Sequence, residues 1–198
     1  MKLLFKRARA GLGLALAAAL GAAGWWAAEP RPAPGPAPEQ VRRMPDFPAI
    51  VAPPRLRAAD PRVVDDDPVV GVEVSGRHRA YALTAFSDID LHVVNDLVGG
   101  HPVTVAYCPR TDCLTTYGGP AGGGPLAVAV GGWAGQPGHE SLLLRLGDRY
   151  YRQDGGPVGE GEPPFPYRPL DHELTTWGAW RAGHPDTDLY AGPVRVGR

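Results

Sequence analysis

Residues that could carry chemistry are concentrated in one stretch of the 198-residue chain, from His92 to Cys113. Thiols, imidazoles and carboxylates are the side chains that bind metals, exchange disulfides or move protons. This stretch holds both cysteines of the chain and two of its six histidines. The candidate site residues are His92, Asn95, Asp96, Cys108, Asp112 and Cys113.

Four residues separate Cys108 from Cys113, and four interpretations are open. Outside the cytosol an even pair of cysteines is typically a disulfide, and so small a loop would contribute ~2 kcal/mol. A zinc site would need two further ligands, for which His92, His101 and Asp112 lie nearest in sequence. A reactive thiol pair would lack the usual Cys-x-x-Cys spacing, and two free buried thiols are the fourth option. We expect a disulfide between Cys108 and Cys113.

Asn95 and Asp96 precede Gly99 and Gly100, a combination typical of turns. Asx side chains bond the nearby backbone, and glycine adopts positive φ without strain. A role in a polar site is the alternative for the Asn-Asp pair. His92 is expected to be a packed or surface histidine.

Familiar enzyme signatures are missing from the sequence. It contains no Gly-x-Ser-x-Gly elbow, P-loop, dinucleotide fingerprint or His-Glu-x-x-His motif. The acidic run of residues 65–67 has neither the central glycine nor the distal glutamate of a calcium loop. Enzymatic activity is left open, and no cofactor is predicted.

Alternating apolar residues and turn signals predict a mainly β fold. Two hairpins are expected, one turning at Gly76-Arg77 and one at Gly147-Asp148. The expected strand segments are Val69–Ser75, His78–Leu83, Pro102–Cys108, Leu126–Val130, Ser141–Leu146 and Arg149–Gln153. The pattern predicts a compact antiparallel domain of hairpins or a meander, with barrel-like closure as one option.

One short helix is expected near the C-terminus. Thr175 or Thr176 can cap it, and Gly183 can end it. Trp177 and Trp180 are three residues apart and share one face, so they should anchor the helix to the core.

Several motifs in combination resemble the bacterial family called domain of unknown function 3179. They are Arg79-Ala80-Tyr81, Val94-Asn95-Asp96, Gly99-Gly100, Tyr107-Cys108-Pro109, Thr176-Trp177, Trp180 and His184-Pro185-Asp186-Thr187. The resemblance covers roughly Val69 to Gly192 and implies no established activity, cofactor or catalytic residue. The family commonly shows Cys-Pro-x-Cys after the strand, whereas this chain has four residues between its cysteines.

The N-terminus resembles a membrane-targeting segment. Four bases fall within the first nine residues, and Ala10 to Ala28 is a run of 19 residues without a charge. As a helix this run would span ~28 Å, close to the hydrocarbon thickness of a bilayer. The positive-inside rule places the rest of the chain outside the cytoplasm. Residues 1–28 are therefore expected to form a transmembrane signal anchor, with a signal peptide cleaved near Ala22 or Ala28 as the alternative.

Residues 29–62 contain ten prolines and no apolar periodicity, which predicts a disordered, semi-rigid linker. The β-rich domain is then expected over residues 63–198, facing the periplasm or the cell exterior. It holds 10 Arg against 17 acidic residues, a balance of −7. Nucleic acid is thereby disfavoured as a partner, because phosphate neutralisation needs clustered bases.

The sequence favours a membrane-anchored, non-catalytic binding or structural module of the cell envelope. Its partners would be the membrane and an unidentified protein, glycan or small ligand. The alternative is a metal-binding or thiol-redox protein centred on Cys108, Asp112, Cys113 and His92.

Overall fold

The computed structural model describes residues 39–44, 46–51, 53 and 60–193. All the described residues belong to one compact unit, residues 36–198. The predicted transmembrane segment, residues 1–28, lies outside the described residues. Within the described ranges, no helix is both long and apolar enough to cross a membrane.

The described residues form a mainly β fold with one short helix near the C-terminus, which confirms this part of the predicted fold class. The strands are β1 (Gln40–Arg43), β2 (Ile50–Val51), β3 (Pro68–Val74), β4 (Arg77–Ala82), β5 (Val93–Val98), β6 (His101–Cys108), β7 (Cys113–Gly118), β8 (Val128–Gln136), β9 (His139–Leu146), β10 (Arg149–Arg152), β11 (Arg168–Pro169), β12 (Glu173–Thr176) and β13 (Asp188–Tyr190). The helix α1 spans Trp177–Gly183, and two short 3₁₀ helices span Leu83–Phe86 and Ile89–Leu91.

The strands form three sheets. Sheet 1 has the order β1-β8-β9-β10, sheet 2 the order β11-β7-β6-β5-β2, and sheet 3 the order β12-β3-β4-β13. Two pairs at sheet edges, β2 with β5 and β13 with β4, are parallel. The other described strand pairs are antiparallel, in line with the expected antiparallel domain.

The sheets and the helix stack as four layers, in the order sheet 1, sheet 2, sheet 3 and α1. Alternate residues of a strand point to opposite faces of its sheet. In sheet 2, Val93 and Ala106 therefore face the core shared with sheet 1, while Val94 and Val105 face the core shared with sheet 3. A third core lies between sheet 3 and α1. Sheet 2 is covered on both faces, so Asn95, Asp96 and Thr104 in its central strands are buried.

Two strands lie within the segment that the sequence assigns to a disordered linker. Gln40–Arg43 pairs with β8, and Ile50–Val51 pairs with β5. At Gly132 an added Cβ would lie 1.9 Å from the Arg42 carbonyl oxygen, so the close approach of β1 requires glycine there. The linker prediction is wrong for these two segments, because short edge strands can form among prolines without a long apolar repeat.

The turns follow glycine chemistry closely. Gly99 and Gly100 connect β5 to β6, both with positive φ, and Gly147 opens the predicted turn between β9 and β10. In the first hairpin Val74 pairs with Arg77, so the turn is Ser75-Gly76, one residue earlier than expected.

The helix α1 covers sheet 3 as predicted. The Thr176 hydroxyl accepts a hydrogen bond from the Ala179 amide, which caps the helix. Trp177 and Trp180 are buried in the third core. The Trp180 ring lies so close to Gly71 that an added Cβ would sit 2.3 Å from it.

Candidate functional site

Asn95 and Asp96 lie in the middle of β5, so the turn interpretation is wrong for both residues. The turn is made by Gly99 and Gly100 alone. Asn95 and Asp96 are 0% and 3% exposed. As consecutive strand residues they point into the two different cores that flank sheet 2.

The Asn95 amide is fully bonded between sheet 2 and its neighbours. Its nitrogen donates to the carbonyl oxygens of Ile50 and Val128 at 2.9 and 2.8 Å. Its oxygen accepts from the Thr104 hydroxyl at 3.0 Å and from the Val128 amide at 3.3 Å. The side chain thus joins β5 to β2, β6 and β8, and no part of it is free to bind a ligand.

Asp96 belongs to a buried ionic cluster between sheet 2 and sheet 3. Arg79 donates to the Asp96 carboxylate and, at 3.1 Å, to Asp188. The Tyr81 hydroxyl donates to Asp96 at 2.9 Å, and so does the Leu97 amide at 2.7 Å. Arg79 Nε finds no partner among the described residues. The charge of Asp96 is therefore neutralised within the fold.

The pKa values of two tyrosines in the same core are raised, in part by this cluster. Burial, followed by the Asp96 charge, raises the pKa of Tyr81 well above its usual value. The same two causes raise the pKa of Tyr190 to about 12. Both hydroxyls therefore stay protonated at neutral pH.

His92 is 5% exposed and follows the second 3₁₀ helix. Burial lowers the pKa of its imidazole. Its backbone oxygen accepts from the Tyr107 amide at 3.0 Å, and its Nδ1 has no partner in the described part of the chain. His92 is packed, as expected, and no hydrogen bond among the described residues joins its ring to the cysteines or Asp112.

Cys108 and Cys113 face each other directly across the β6–β7 ladder. Cys108 is 0% exposed, Cys113 is half-buried, and both are free thiols in the structure. The Cys113 thiol donates to the Thr111 carbonyl oxygen at 3.5 Å. The disulfide between them stays a prediction.

Asp112 lies in the turn between the cysteines with a φ of +50°. Its carboxylate accepts a hydrogen bond from the Tyr107 hydroxyl at 3.0 Å. Burial, with a smaller contribution from Asp112, raises the pKa of Tyr107. The Asp112 side chain is therefore engaged by the residue that precedes Cys108 in the strand.

A cleft, which we name the thiol cleft, opens beside Cys113. It comprises two cavities of about 550 and 570 Å³ that share Cys113, His139 and Ser141. Its walls are residues 110–115, 134–135, 138–141 and 152–154. Of the six predicted site residues, Asp112 and Cys113 line this cleft.

Gln153 is the residue of the thiol cleft that sequence reasoning missed. It is 3% exposed, and its nitrogen donates to the carbonyl oxygens of Ala106 and Cys113 at 3.1 and 2.8 Å. Its Oε1 has no partner among the described residues, and the same holds for the buried Thr111 hydroxyl. No local sequence signal marks Gln153, because the groups it bonds lie about 40 residues away in the chain.

Arg79 was also missed, although its sequence context carries a signal. In β4 it is followed by Ala80, Tyr81 and Ala82, and it lies two positions before Tyr81 on the same face. A buried charge needs a partner, so such a position predicts an acidic residue on a neighbouring element.

The remaining histidines lie apart from the cysteines, except for His139 in the thiol cleft. His184 stacks on His78, with ring centroids 4.1 Å apart, and lies 4.0 Å from the Trp180 ring. The Thr116 hydroxyl contacts His172 at 2.9 Å. Over the described ranges, no group of three or more His, Cys, Asp or Glu side chains could hold a metal ion.

Fold and site together define a mainly β domain of three stacked sheets with a buried ionic cluster on one side of the middle sheet and a polar cleft at its end. Residues 45–133 match the family model described as protein of unknown function, DUF3179. The chain therefore carries a DUF3179 domain, which confirms the family named from the sequence. The match ends at residue 133, so the motifs between residues 176 and 187 lie outside it. This match spans β2 to β7 and most of β8, and so includes both cysteines but not Gln153. Searches of curated proteins and of solved structures found no match.

Proposed function

We propose that this protein is a membrane-tethered module whose β domain lies outside the cytoplasm and binds a small polar ligand in the thiol cleft without transforming it. The proposed membrane tether rests on the N-terminal sequence, in which four bases precede 19 uncharged residues. The binding part rests on the geometry of the cleft.

One observation carries the binding role: Gln153 presents a buried acceptor, Oε1, that nothing in the described structure satisfies. An unsatisfied buried acceptor costs about 1–3 kcal/mol, which a donor from a ligand would recover. Thr111, whose hydroxyl is also buried and unpaired, lines the second cavity. A ligand with hydrogen-bond donors fits both groups.

The charges around the cleft favour a ligand of low net charge. Arg110 and Arg152 are opposed by Asp112, Glu140 and Asp154 in the same walls. Because Arg152 is also paired with Glu39, the walls carry a small excess of negative charge, so an anion gains no long-range attraction. Neutral or zwitterionic polar molecules match this environment.

A metal site centred on Cys108, Asp112, Cys113 and His92 receives no support from the geometry. The Asp112 carboxylate is bonded by Tyr107, and the His92 ring makes no hydrogen bond to the other three within the described residues. The two cysteines, as free thiols, keep the chemistry of a thiol pair.

The binding role is tested by NMR titration of a chain that starts at residue 36 with a panel of sugars, amino acids and small amides. We expect chemical-shift changes confined to residues 110–115, 138–141 and 152–154. Thr111→Val removes an unpaired hydroxyl at almost constant volume, so it should weaken binding without lowering the melting temperature. Gln136→Met, on β8 outside the cleft walls, is the matched control. Shifts elsewhere, or none in the cleft with any probe, would overturn the proposal.

The tether is tested separately by cell fractionation. A reporter that is active only outside the cytoplasm, fused after Arg198, should be active, and the protein should pellet with membranes. Recovery of a soluble form that begins near Glu29 would replace the anchor with a cleaved signal peptide. An inactive reporter would refute export.

A further inference from the structure

The two cysteines lie directly opposite each other on paired strands, but they differ greatly in solvent exposure. Cys108 is packed in the core between sheets 1 and 2 and is 0% exposed. Cys113 is half-buried and lines both cavities of the thiol cleft. A reagent in the cleft can therefore reach only one of the two thiols.

We propose that Cys108 and Cys113 are a reversible thiol–disulfide pair, in which Cys113 reacts first with a small disulfide held in the thiol cleft and Cys108 then closes the intramolecular bond. In this role a small disulfide is a second occupant of the cleft, which is chemically changed, whereas the polar ligand proposed above is only bound. The redox role therefore goes beyond the binding function and does not depend on it. It assigns different tasks to the two residues, with Cys113 as the entry thiol and Cys108 as the resolving thiol.

The strand register supplies the geometry for the second step. Residues directly opposite in an antiparallel pair have Cα atoms about 4.5–5.5 Å apart. Disulfides span Cα separations of about 4.4–6.8 Å, so the Cys108–Cys113 register needs no strand shift. Both side chains also lie on the same face of sheet 2, because directly paired residues share a face.

The contacts of Cys113 leave its sulfur free to react. Its thiol makes one weak hydrogen bond, to the Thr111 carbonyl oxygen. The Gln153 side-chain nitrogen donates to the Cys113 carbonyl oxygen. This bond fixes the backbone at the end of β7 while the Cys113 side chain rotates. The thiol can thus rotate between the cleft and Cys108 without movement of the backbone.

The reaction balances as two exchanges. The Cys113 thiolate attacks one sulfur of a small disulfide RSSR, which gives a mixed disulfide and one thiolate RS⁻. The Cys108 thiolate then attacks the Cys113 sulfur, forms the Cys108–Cys113 bond and releases the second RS⁻. Two protein thiols are oxidised, one RSSR is reduced to two RSH, and the two protein protons end on the released thiols. Because the chain has only these two cysteines, no other intramolecular bond can form.

The test uses the reduced full-length protein with bis(2-hydroxyethyl) disulfide as the probe. The wild type should release two thiols for each chain and end as an intramolecular disulfide, seen by mass spectrometry. Cys108→Ser should stop at a stable mixed disulfide on Cys113 after the release of one thiol. Cys113→Ser should react at least about tenfold more slowly than Cys108→Ser, because its remaining thiol is buried.

Denaturant supplies the control for this ordering. Once the proteins are unfolded, the two serine variants should react at similar rates, which would assign the native difference to burial. Equal native rates for the two variants would overturn the order of attack. A wild type that keeps the mixed disulfide would overturn the resolving role of Cys108, and circular dichroism of each variant shows whether it is folded.

Discussion

Asn95 and Asp96 are neighbours in one strand, yet the polar groups of their side chains are paired in different ways. The Asn95 amide faces sheet 1 and uses three backbone groups and one hydroxyl, without any charge. Asp96 faces sheet 3 and depends on Arg79, which itself keeps an unpaired Nε. The comparison shows that a neutral amide can be completed by the backbone, whereas a buried charge needs a second charged side chain and tolerates its loss poorly.

The largest loss of stability is expected from removal of the N-terminal strands β1 and β2. The Ile50 carbonyl oxygen of β2 is one of the partners of Asn95. A chain that begins at residue 63 lacks the Ile50 carbonyl and all of β1 and β2. It should lose about 5 kcal/mol or more of unfolding free energy relative to a chain that begins at residue 36, as much as a marginal domain possesses. Differential scanning calorimetry of the two chains is the measurement. A cooperative transition at the same temperature in both would show that the described strands contribute nothing.

Arg79→Met should give the next largest effect, on the Asp96 side. It leaves the buried Asp96 carboxylate without its counter-charge, which should cost about 3–5 kcal/mol. Chemical denaturation measures the loss. Arg181→Met is the matched control, since the Arg181–Asp65 pair is exposed and should contribute less than about 1 kcal/mol. Equal losses of unfolding free energy in the two variants would show that the buried Arg79–Asp96 pair contributes no more than an exposed ion pair.

Asn95→Leu should cost about 2–3 kcal/mol, because it leaves backbone groups of Ile50 and Val128 and the Thr104 hydroxyl unpaired. The same denaturation experiment applies, with Gln136→Leu at an exposed position of β8 as the control. A larger loss of unfolding free energy for Asn95→Leu than for Arg79→Met would contradict the expectation that the buried charge depends more on its partner than the amide does.

The smallest effect concerns alkaline pH and the Asp96 side of β5, where burial and then the Asp96 charge raise the pKa of Tyr190. Its folded-state pKa of about 12 exceeds the usual value of 10.0. The native state therefore holds this proton more tightly than the unfolded chain, and the associated stability is present below pH 10 and is lost between about pH 10 and 12. Tyr190→Phe should flatten this decline by roughly 1 kcal/mol per pH unit. Tyr150→Phe on β10 is the control, and identical pH profiles for wild type and Tyr190→Phe would contradict the assignment.

Much of the fold could be predicted because its signals are local. Glycines in the β5–β6 and β9–β10 turns, the Thr176 cap and the paired tryptophans of α1 each act within a few residues. Asn95 and Asp96 were assigned to a turn because Asx followed by glycine looks the same whether the turn starts at the Asx or four residues later. The thiol cleft could not be predicted, since Gln153 and Cys113 meet only through long-range pairing. The strands β1 and β2 were hidden by the proline-rich composition around them.

Sheet 3 has a consequence for the order in which the protein can acquire its structure. Its hairpin β3–β4 is synthesised early, but both flanking strands, β12 and β13, come from the last part of the described chain. Until residue 190 emerges from the ribosome, both edges of this hairpin are open and its outer face is uncovered. Such non-local pairing slows folding and exposes unpaired strand edges to other chains. The edges of the β3–β4 hairpin are therefore open to pairing with other chains until the C-terminal strands have docked.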